Sequence, residues 1–267
     1  MVHIEKLIDV AIKAGQIALK YYNSDYFVKT KQDDTPVTKA DIEVNNFICS
    51  SLQKLYPNIP ILSEENPDKQ ETQLKQAKTG LFIIDPIDGT EAFIEKRPEF
   101  SINIGYVTNN EFSVGVVYVP RLDILYFNDI QTSYKITNAH SNPDKTTLPQ
   151  IKESNANSPK TILLTHRKQE KSVIEKELLN TNIQIKELLD LSSSYKFCLV
   201  AEGKADFYMR RANMKIWDIA ASMPILNKLN YQMFDMEKDI VTFNKLKNSI
   251  TIPWFNVGGE KDIELLY

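Results

Sequence analysis

No stretch of this sequence approaches 18 consecutive apolar residues, so nothing in it predicts a membrane-spanning helix. A charged start followed by an apolar core is also missing from the first twenty residues, which form an amphipathic segment carrying Glu5 and Asp9. Cysteine is nearly absent. Cys49 and Cys198 are the only two, both inside apolar helical runs, which excludes a disulfide framework or a zinc site and fits a reducing compartment. There is no basic excess: with a formal net charge of −3 and a pI near 5.8 the chain has no footprint for a nucleic-acid polymer, and a phosphorylated ligand has to be met by local cations or metal ions. Internal repeats and low-complexity tracts are missing as well. What remains is a globular composition, 42% hydrophobic over 267 residues, enough for one large domain or two smaller ones sharing an interior.

The chain is organised around Gly80 to Ile94. Four apolar residues, Leu81-Phe82-Ile83-Ile84, predict a buried strand that ends in Asp85-Pro86-Ile87-Asp88-Gly89-Thr90. Pro86 lacks an N–H and disfavours helical backbone at Asp85, so a sharp turn is expected there, with Asp88 opening a helix as its N-cap. Two carboxylates, the Ile87 carbonyl and the Thr90 hydroxyl then share one strand-to-helix junction. Oxygen ligands of this kind suit Mg²⁺ together with phosphate oxygens. Strand ending and helix capping alone also account for both aspartates. Phosphatases that form an aspartyl-phosphate place two aspartates two apart; here they are three apart, which favours metal-activated water over a carboxylate nucleophile.

Elsewhere, apolar spacing predicts a helix over Ile4 to Tyr22 and another from Val37-Thr38-Lys39-Ala40-Asp41-Ile42 to about Tyr56, with Thr38 as N-cap, Asp41 completing a capping box, and Val37 and Ile42 as a hydrophobic staple. That box alone explains Asp41, although a carboxylate there is also placed to reach a threonine and hold a water. Between the helices, Lys29 to Pro36 reads as a polar loop. Ile61-Leu62-Ser63 is a short strand delivering Glu64-Glu65, which are solvated loop charges unless the strand neighbours Leu81–Ile84, since adjacent strand ends share the edge where ligands sit. Residues 67 to 79 read as a surface excursion. Phe100 to Thr108 and Glu111 to Tyr118 form a hairpin through Asn109-Asn110, and Ile124 to Phe127 and Ser133 to Ile136 extend the meander. A boundary is expected near residue 150, in the polar stretch 138 to 159. Beyond it the pattern alternates: strand Thr161 to Leu164, helix Gln169 to Asn180, strand Ile183 to Ile185, helix Ser193 to Gly203, strand Asp206 to Met209, and a helix opened by Asp218 and running through Leu226. The fold class is α/β, in a mixed α+β arrangement. Asp218 is explained as an N-cap, and equally as a last carboxylate supplied across a cleft.

Taken together, Glu64-Glu65, Asp85-Pro86-Ile87-Asp88-Gly89-Thr90 and Trp217-Asp218-Ile219-Ala220-Ala221 resemble the motif set of the inositol monophosphatase superfamily of Mg²⁺-dependent, lithium-sensitive phosphatases. Ser193 to Gly203 and Thr35 to Asp41 are similar to its bacterial 3′(2′),5′-bisphosphate nucleotidase branch. The resemblance implies a layered αβαβα sandwich, residues 1–150 carrying most metal ligands and residues 151–267 supplying Asp218 and the substrate pocket. It implies hydrolysis of adenosine 3′,5′-bisphosphate to AMP and phosphate with two or three Mg²⁺. One ion falls to Glu64, Asp85 and the Ile87 carbonyl, another to Asp85, Asp88 and Asp218. Asp41 and Thr90 orient the water, with Glu64 counted beside them as catalytic. Substrate contacts fall to Ile87, Asp88, Gly89, Thr90, Ser193, Lys196 and Asp218, within a pocket built from 193 to 203 and 165 to 167. Paired metals supply the charge that a His base would, so His3, His140 and His166 are not needed; His166 and Arg167 follow a strand expected to point towards the cleft and read as surface residues, with a substrate contact as the alternative. The sparse cysteines and the missing span pattern lead to the expectation of a cytoplasmic enzyme, with contact at the inner membrane surface or a homodimer both compatible.

Departures from the family pattern are Ser222, where glycine is usual, the missing Gly-Pro in Arg211-Ala212-Asn213-Met214-Lys215, and only 8 glycines in all. Every expected metal ligand is present, so these are read as drift in a Lys-, Ile- and Asn-rich sequence. Sibling activities on inositol monophosphate or a sugar bisphosphate would keep the metals and change the pocket. A non-catalytic metal- or nucleotide-binding regulator would have no use for Asp41 and Thr90 as a water-orienting pair.

Overall fold

The computed structural model describes residues 2–24, 28–30, 36–66, 74–75, 77–151, 158–164 and 168–266. The expected acidic loop with Asp33 and Asp34, most of the 67–79 excursion, and His166 with Arg167 therefore lie outside the described residues, as do the side chains of Val37 and Thr38.

Helices α1 (Ile4–Tyr22) and α2 (Lys39–Leu55) have the expected bounds. After the small pair β1 (Val28–Thr30) and β2 (Pro36–Thr38) comes a seven-stranded sheet in strict chain order: β3 (Ile61–Ser63), β4 (Leu81–Asp88), β5 (Ser101–Thr108), β6 (Glu111–Val119), β7 (Ile124–Asn128), β8 (Ser133–Thr137) and β9 (Asp144–Thr147). β3 runs parallel to β4 and the rest are antiparallel. The β5–β6 turn has positive φ at both Asn109 (54°) and Asn110 (60°), as a two-residue hairpin of the mirror-image type requires.

The second half contributes β10 (Lys160–Leu164), β11 (Ile185–Asp190), β12 (Phe207–Arg210), β13 (Met214–Lys215), β14 (Tyr231–Asp235), β15 (Thr251–Ile252) and β16 (Phe255–Gly259). Five of them form a sheet of order β11-β10-β12-β16-β14, and β13 pairs with β15. Here the structure corrects the reading in two places. The strand expected at Ile183 to Ile185 is instead Ile185–Asp190, a half-exposed edge whose side chains lack an apolar run. Asp218 does not open one helix through Leu226; two short helices, Ile216–Ala220 and Ser222–Asn227, stand there. Pro224 is the reason, because its ring clashes with the carbonyl four residues back, at Ala220, where the first helix stops.

Alternation along the strands builds the layers. In β4, Phe82 and Ile84 face one apolar cluster with Leu7, Ala14, Val44 and Ile48 of α1 and α2, whereas Leu81 and Ile83 face another with Phe197, Trp217 and Ile219. In β12, Tyr208 points into that second cluster while Phe207 and Met209 face a third, with Ile174 and Ile263. The result is helix, sheet, helix, sheet, helix: an αβαβα sandwich whose middle layer is the three helices Tyr195–Ala201, Ile216–Ala220 and Ser222–Asn227. Gly105 and Gly115 let that layer lie close to the large sheet. A Cβ on Gly105 would sit 2.6 Å from the Ala220 carbonyl oxygen, and one on Gly115 1.8 Å from that of Ala221.

Candidate active site

Parallel pairing of β3 with β4, in the register Ser63↔Ile84, brings Glu64 and Asp85 to one sheet edge. β4 does not turn at Pro86. The ladder to β5 shifts between Asp85 and Asp88, a bulge that tolerates a residue with no N–H, and resumes where Asp88 pairs with Ser101. Asp88 is thus the last strand residue, and the expectation that it caps the next helix is corrected: the N-cap is Gly89, in the left-handed region at φ 83°, before the five-residue helix Thr90–Ile94. Asp218 is likewise no N-cap. It is the third residue of Ile216–Ala220, and its Oδ2 accepts the Lys215 backbone N–H at 2.8 Å.

Asp85, Asp88 and Asp218 converge from these separate elements, each offering an oxygen within 4.8 Å of the others. Asp85 is buried, 1% exposed, and its Oδ1 has no hydrogen-bond partner. Burial first, then the charges of Glu64, Asp88 and Asp218, push its carboxyl well above the usual range, and burial with Asp88 and Glu64 raises Asp218 also. A buried oxygen with no donor against it, among four acidic side chains, is a poor arrangement for protein alone and a good one for a divalent cation. The donor set, all oxygen, fits Mg²⁺.

Thr90 and Asp41 are brought together. Thr90 Oγ1 lies 3.3 Å from Asp41 Oδ1 and 3.1 Å from the Ile87 carbonyl oxygen, and Asp41 is buried within the first turn of α2. The cleft over these groups, about 210 Å³, is lined on the first half by Glu64, Asp85, Ile87, Asp88, Gly89 and Thr90. Ser193, Lys196 and Asp218 come to it from the second half. Lys196 is buried, its ammonium donating to the carbonyl oxygens of Leu191 (3.2 Å) and Ser193 (2.9 Å), and burial lowers its pKa to about 8. Sequence reasoning missed Tyr208, Arg210 and Met214, which line the same cleft. Arg210 is held by Glu170 at 3.3 Å, and its buried Nε has no partner. One signal was available: β12 ends in a charge at a sheet edge, as β4 does.

Comparison with known proteins gives the chain a family and a fold. The inositol monophosphatase family model matches residues 3–256. A 3′(2′),5′-bisphosphate nucleotidase CysQ of Buchnera aphidicola is 32% identical over 84% of this chain and 80% of its own length. The one from Salmonella typhimurium is 31% identical over 95% and 98%. The crystal structure of CysQ from Bacteroides thetaiotaomicron superposes with a TM-score of 0.76 at 28% identity, covering 96% of each chain.

Proposed function

Because the chain belongs to the inositol monophosphatase family of phosphatases, we propose that it is a Mg²⁺-dependent 3′(2′),5′-bisphosphate nucleotidase that releases the 3′-phosphate of adenosine 3′,5′-bisphosphate, leaving AMP. The observation that carries the reading is the convergence of Asp85, Asp88 and Asp218 beside the Thr90–Asp41 pair. Glu64, Asp85 and the Ile87 carbonyl would hold one ion and Asp85, Asp88 and Asp218 another, with Asp85 shared. Bound there, Mg²⁺ supplies positive charge that acidifies water and neutralises phosphate oxygens. Asp41 holds Thr90 in place, and the Thr90 hydroxyl orients the attacking water. Gly89, lacking a side chain, leaves room for the phosphate over the backbone at 89 and 90. Ser193 and Lys196 meet the rest of the substrate, the lysine placing a cation opposite the carboxylates. Residues 1–150 and 151–267 act as the two units that this cleft joins, in a cytoplasmic enzyme.

Phosphate release from adenosine 3′,5′-bisphosphate, inositol 1-phosphate and fructose 1,6-bisphosphate, measured side by side with Mg²⁺, tests the proposal. The nucleotide is expected to give the highest kcat/KM; a preference for either of the others would move the enzyme to a sibling activity.

A further inference from the structure

Fixed donors converge on a single oxygen of Asp88. Its Oδ2 accepts from the Ser194 backbone N–H and from Asn103 Nδ2 at 3.0 Å, the Ser194 hydroxyl lies within reach of it with one proton to share between this oxygen and the Asp218 main-chain oxygen, and none of these bonds goes to Oδ1. The Asn103 amide has two N–H groups, and Ser194 Oγ accepts from it at 2.8 Å. Ser194 Oγ also lies 2.6 Å from the main-chain oxygen of Asp218. Both Ser194 and Asn103 are 0% exposed. The turn that aims Ser194 at Asp88 is unusual: Ser193, just before it, sits in the left-handed region at φ 58°, and a Cβ added to Gly89 would lie 3.2 Å from the Ser193 Cβ. The network draws on β5, the end of β4 and the start of the Tyr195–Ala201 helix, and within it Asn103 Oδ1 is buried with no hydrogen-bond partner, so Asn103 is held there by what its amide N–H groups reach.

We infer that Ser194, with Asn103, is a positioning residue that spends one oxygen of Asp88 on fixed donors, so that Oδ1 alone is offered to a divalent cation, and that ties this carboxylate to the peptide carrying Asp218. The inference rests on the reading of Asp88 and Asp218 as cation ligands. An unrestrained carboxylate rotates and takes a cation through either or both oxygens. The Ser194 N–H and the Asn103 amide occupy the lone pairs of one, and a single oxygen per carboxylate suits the octahedral demand of Mg²⁺. Partners of this kind set the orientation of the ligand, and losing one costs about 10- to 100-fold in metal affinity. Ser194 also makes the two halves of the ligand set interdependent, because one serine addresses Asp88 from the first half and Asp218 from the second.

The test is a titration of the full-length metal-free protein with Mn²⁺, followed by its paramagnetic resonance signal without substrate, alongside urea unfolding. Wild type should bind and Asp88→Asn should not. Ser194→Ala and Asn103→Ala should each remain folded and bind about 10- to 100-fold more weakly, whereas Ser194→Thr, which keeps the hydroxyl and the N–H, should recover most of the loss. Wild-type affinity in Ser194→Ala and Asn103→Ala, beside an impaired Asp88→Asn, overturns the positioning role and leaves the site intact. Reduced urea stability at unchanged Mn²⁺ affinity overturns it equally. Wild-type protein that binds no Mn²⁺, or Asp88→Asn that binds normally, overturns the reading of the site itself. If Ser194→Ala fails to fold, Asn103→Ala decides the matter on the same comparison.

Discussion

Thr90 has one hydroxyl proton and two oxygens in reach, Asp41 Oδ1 and the Ile87 carbonyl. On the proposed reading a proton shared this way makes Thr90 and Asp41 one device, since Asp41 would act on a water only through the hydroxyl it holds. Thr90→Ala and Asp41→Asn should each depress turnover, and the double variant should be scarcely worse than the poorer single, a non-additivity read from kcat in a double-mutant cycle. Multiplicative losses would separate the two, leaving Asp41 as a first-turn helix carboxylate only. At this scale the sequence was legible where chemistry needs a rare local pattern: an apolar run closed by Asp85-Pro86-Ile87-Asp88 is such a pattern. It was not legible where the group is an ordinary residue in an ordinary place. Asn103 is one polar residue in a buried strand and Arg210 the first of two arginines after Phe207-Tyr208-Met209; only the register of β4 with β5, and of β12 with β16, gives them meaning.

Among the elements, the two short helices Ile216–Ala220 and Ser222–Asn227 have too few turns to hold themselves, and their position is set by the sheet beneath. Gly115→Ala would place a methyl 1.8 Å from the Ala221 carbonyl oxygen, so the segment carrying Asp218 must lift. The expected cost is about 1–3 kcal/mol of overpacking, accompanied by a fall in kcat because Asp218, a cation ligand on the proposed reading, moves with the helix. Gly203→Ala is the control. Its Cβ would meet nothing closer than 4.0 Å, at the Tyr231 hydroxyl, but φ is +69°, so it should cost about 1 kcal/mol of backbone strain and leave kcat unchanged. Urea unfolding and kcat measured together check both; a Gly115→Ala variant with normal turnover would show that the sheet does not set the ligand's place. The small glycine count makes these positions informative, yet their role was invisible beforehand, since close approach depends on which helix crosses which strand. β16 was hidden for a related reason: Phe255-Asn256-Val257-Gly258-Gly259 alternates over only three residues before two glycines, and it is a strand because β12 and β14 flank it.

For the molecule as a whole, the buried carboxylate cluster makes stability depend on pH. The folded pKa of Asp85 is raised above its unfolded value, as is that of Asp218, so without metal the native state binds more protons at neutral pH than the unfolded chain does. That contribution is fully present below the unfolded carboxylate pKa and is lost as pH rises through the folded values. Metal-free protein should accordingly be more stable in urea at pH 5.5 than at pH 7.5, Mg²⁺ should raise stability at pH 7.5 and flatten the slope, and Asp85→Asn should stabilise the metal-free protein while abolishing its response to Mg²⁺. An unchanged slope on adding Mg²⁺ would mean that the ion binds elsewhere.

β16 lies between β12 and β14, and Arg211, which follows β12, donates to the Phe255 carbonyl and to Asn256 Oδ1, each at 2.9 Å. During synthesis the segment leading from β12 to Asp218 leaves the ribosome before the strand it must pair with exists. A nascent chain stopped short of residue 255 therefore has Glu64, Asp85, Asp88 and Asp218 but not the strand that joins β12 to β14, so the second sheet closes only after the last of these four carboxylates has been made.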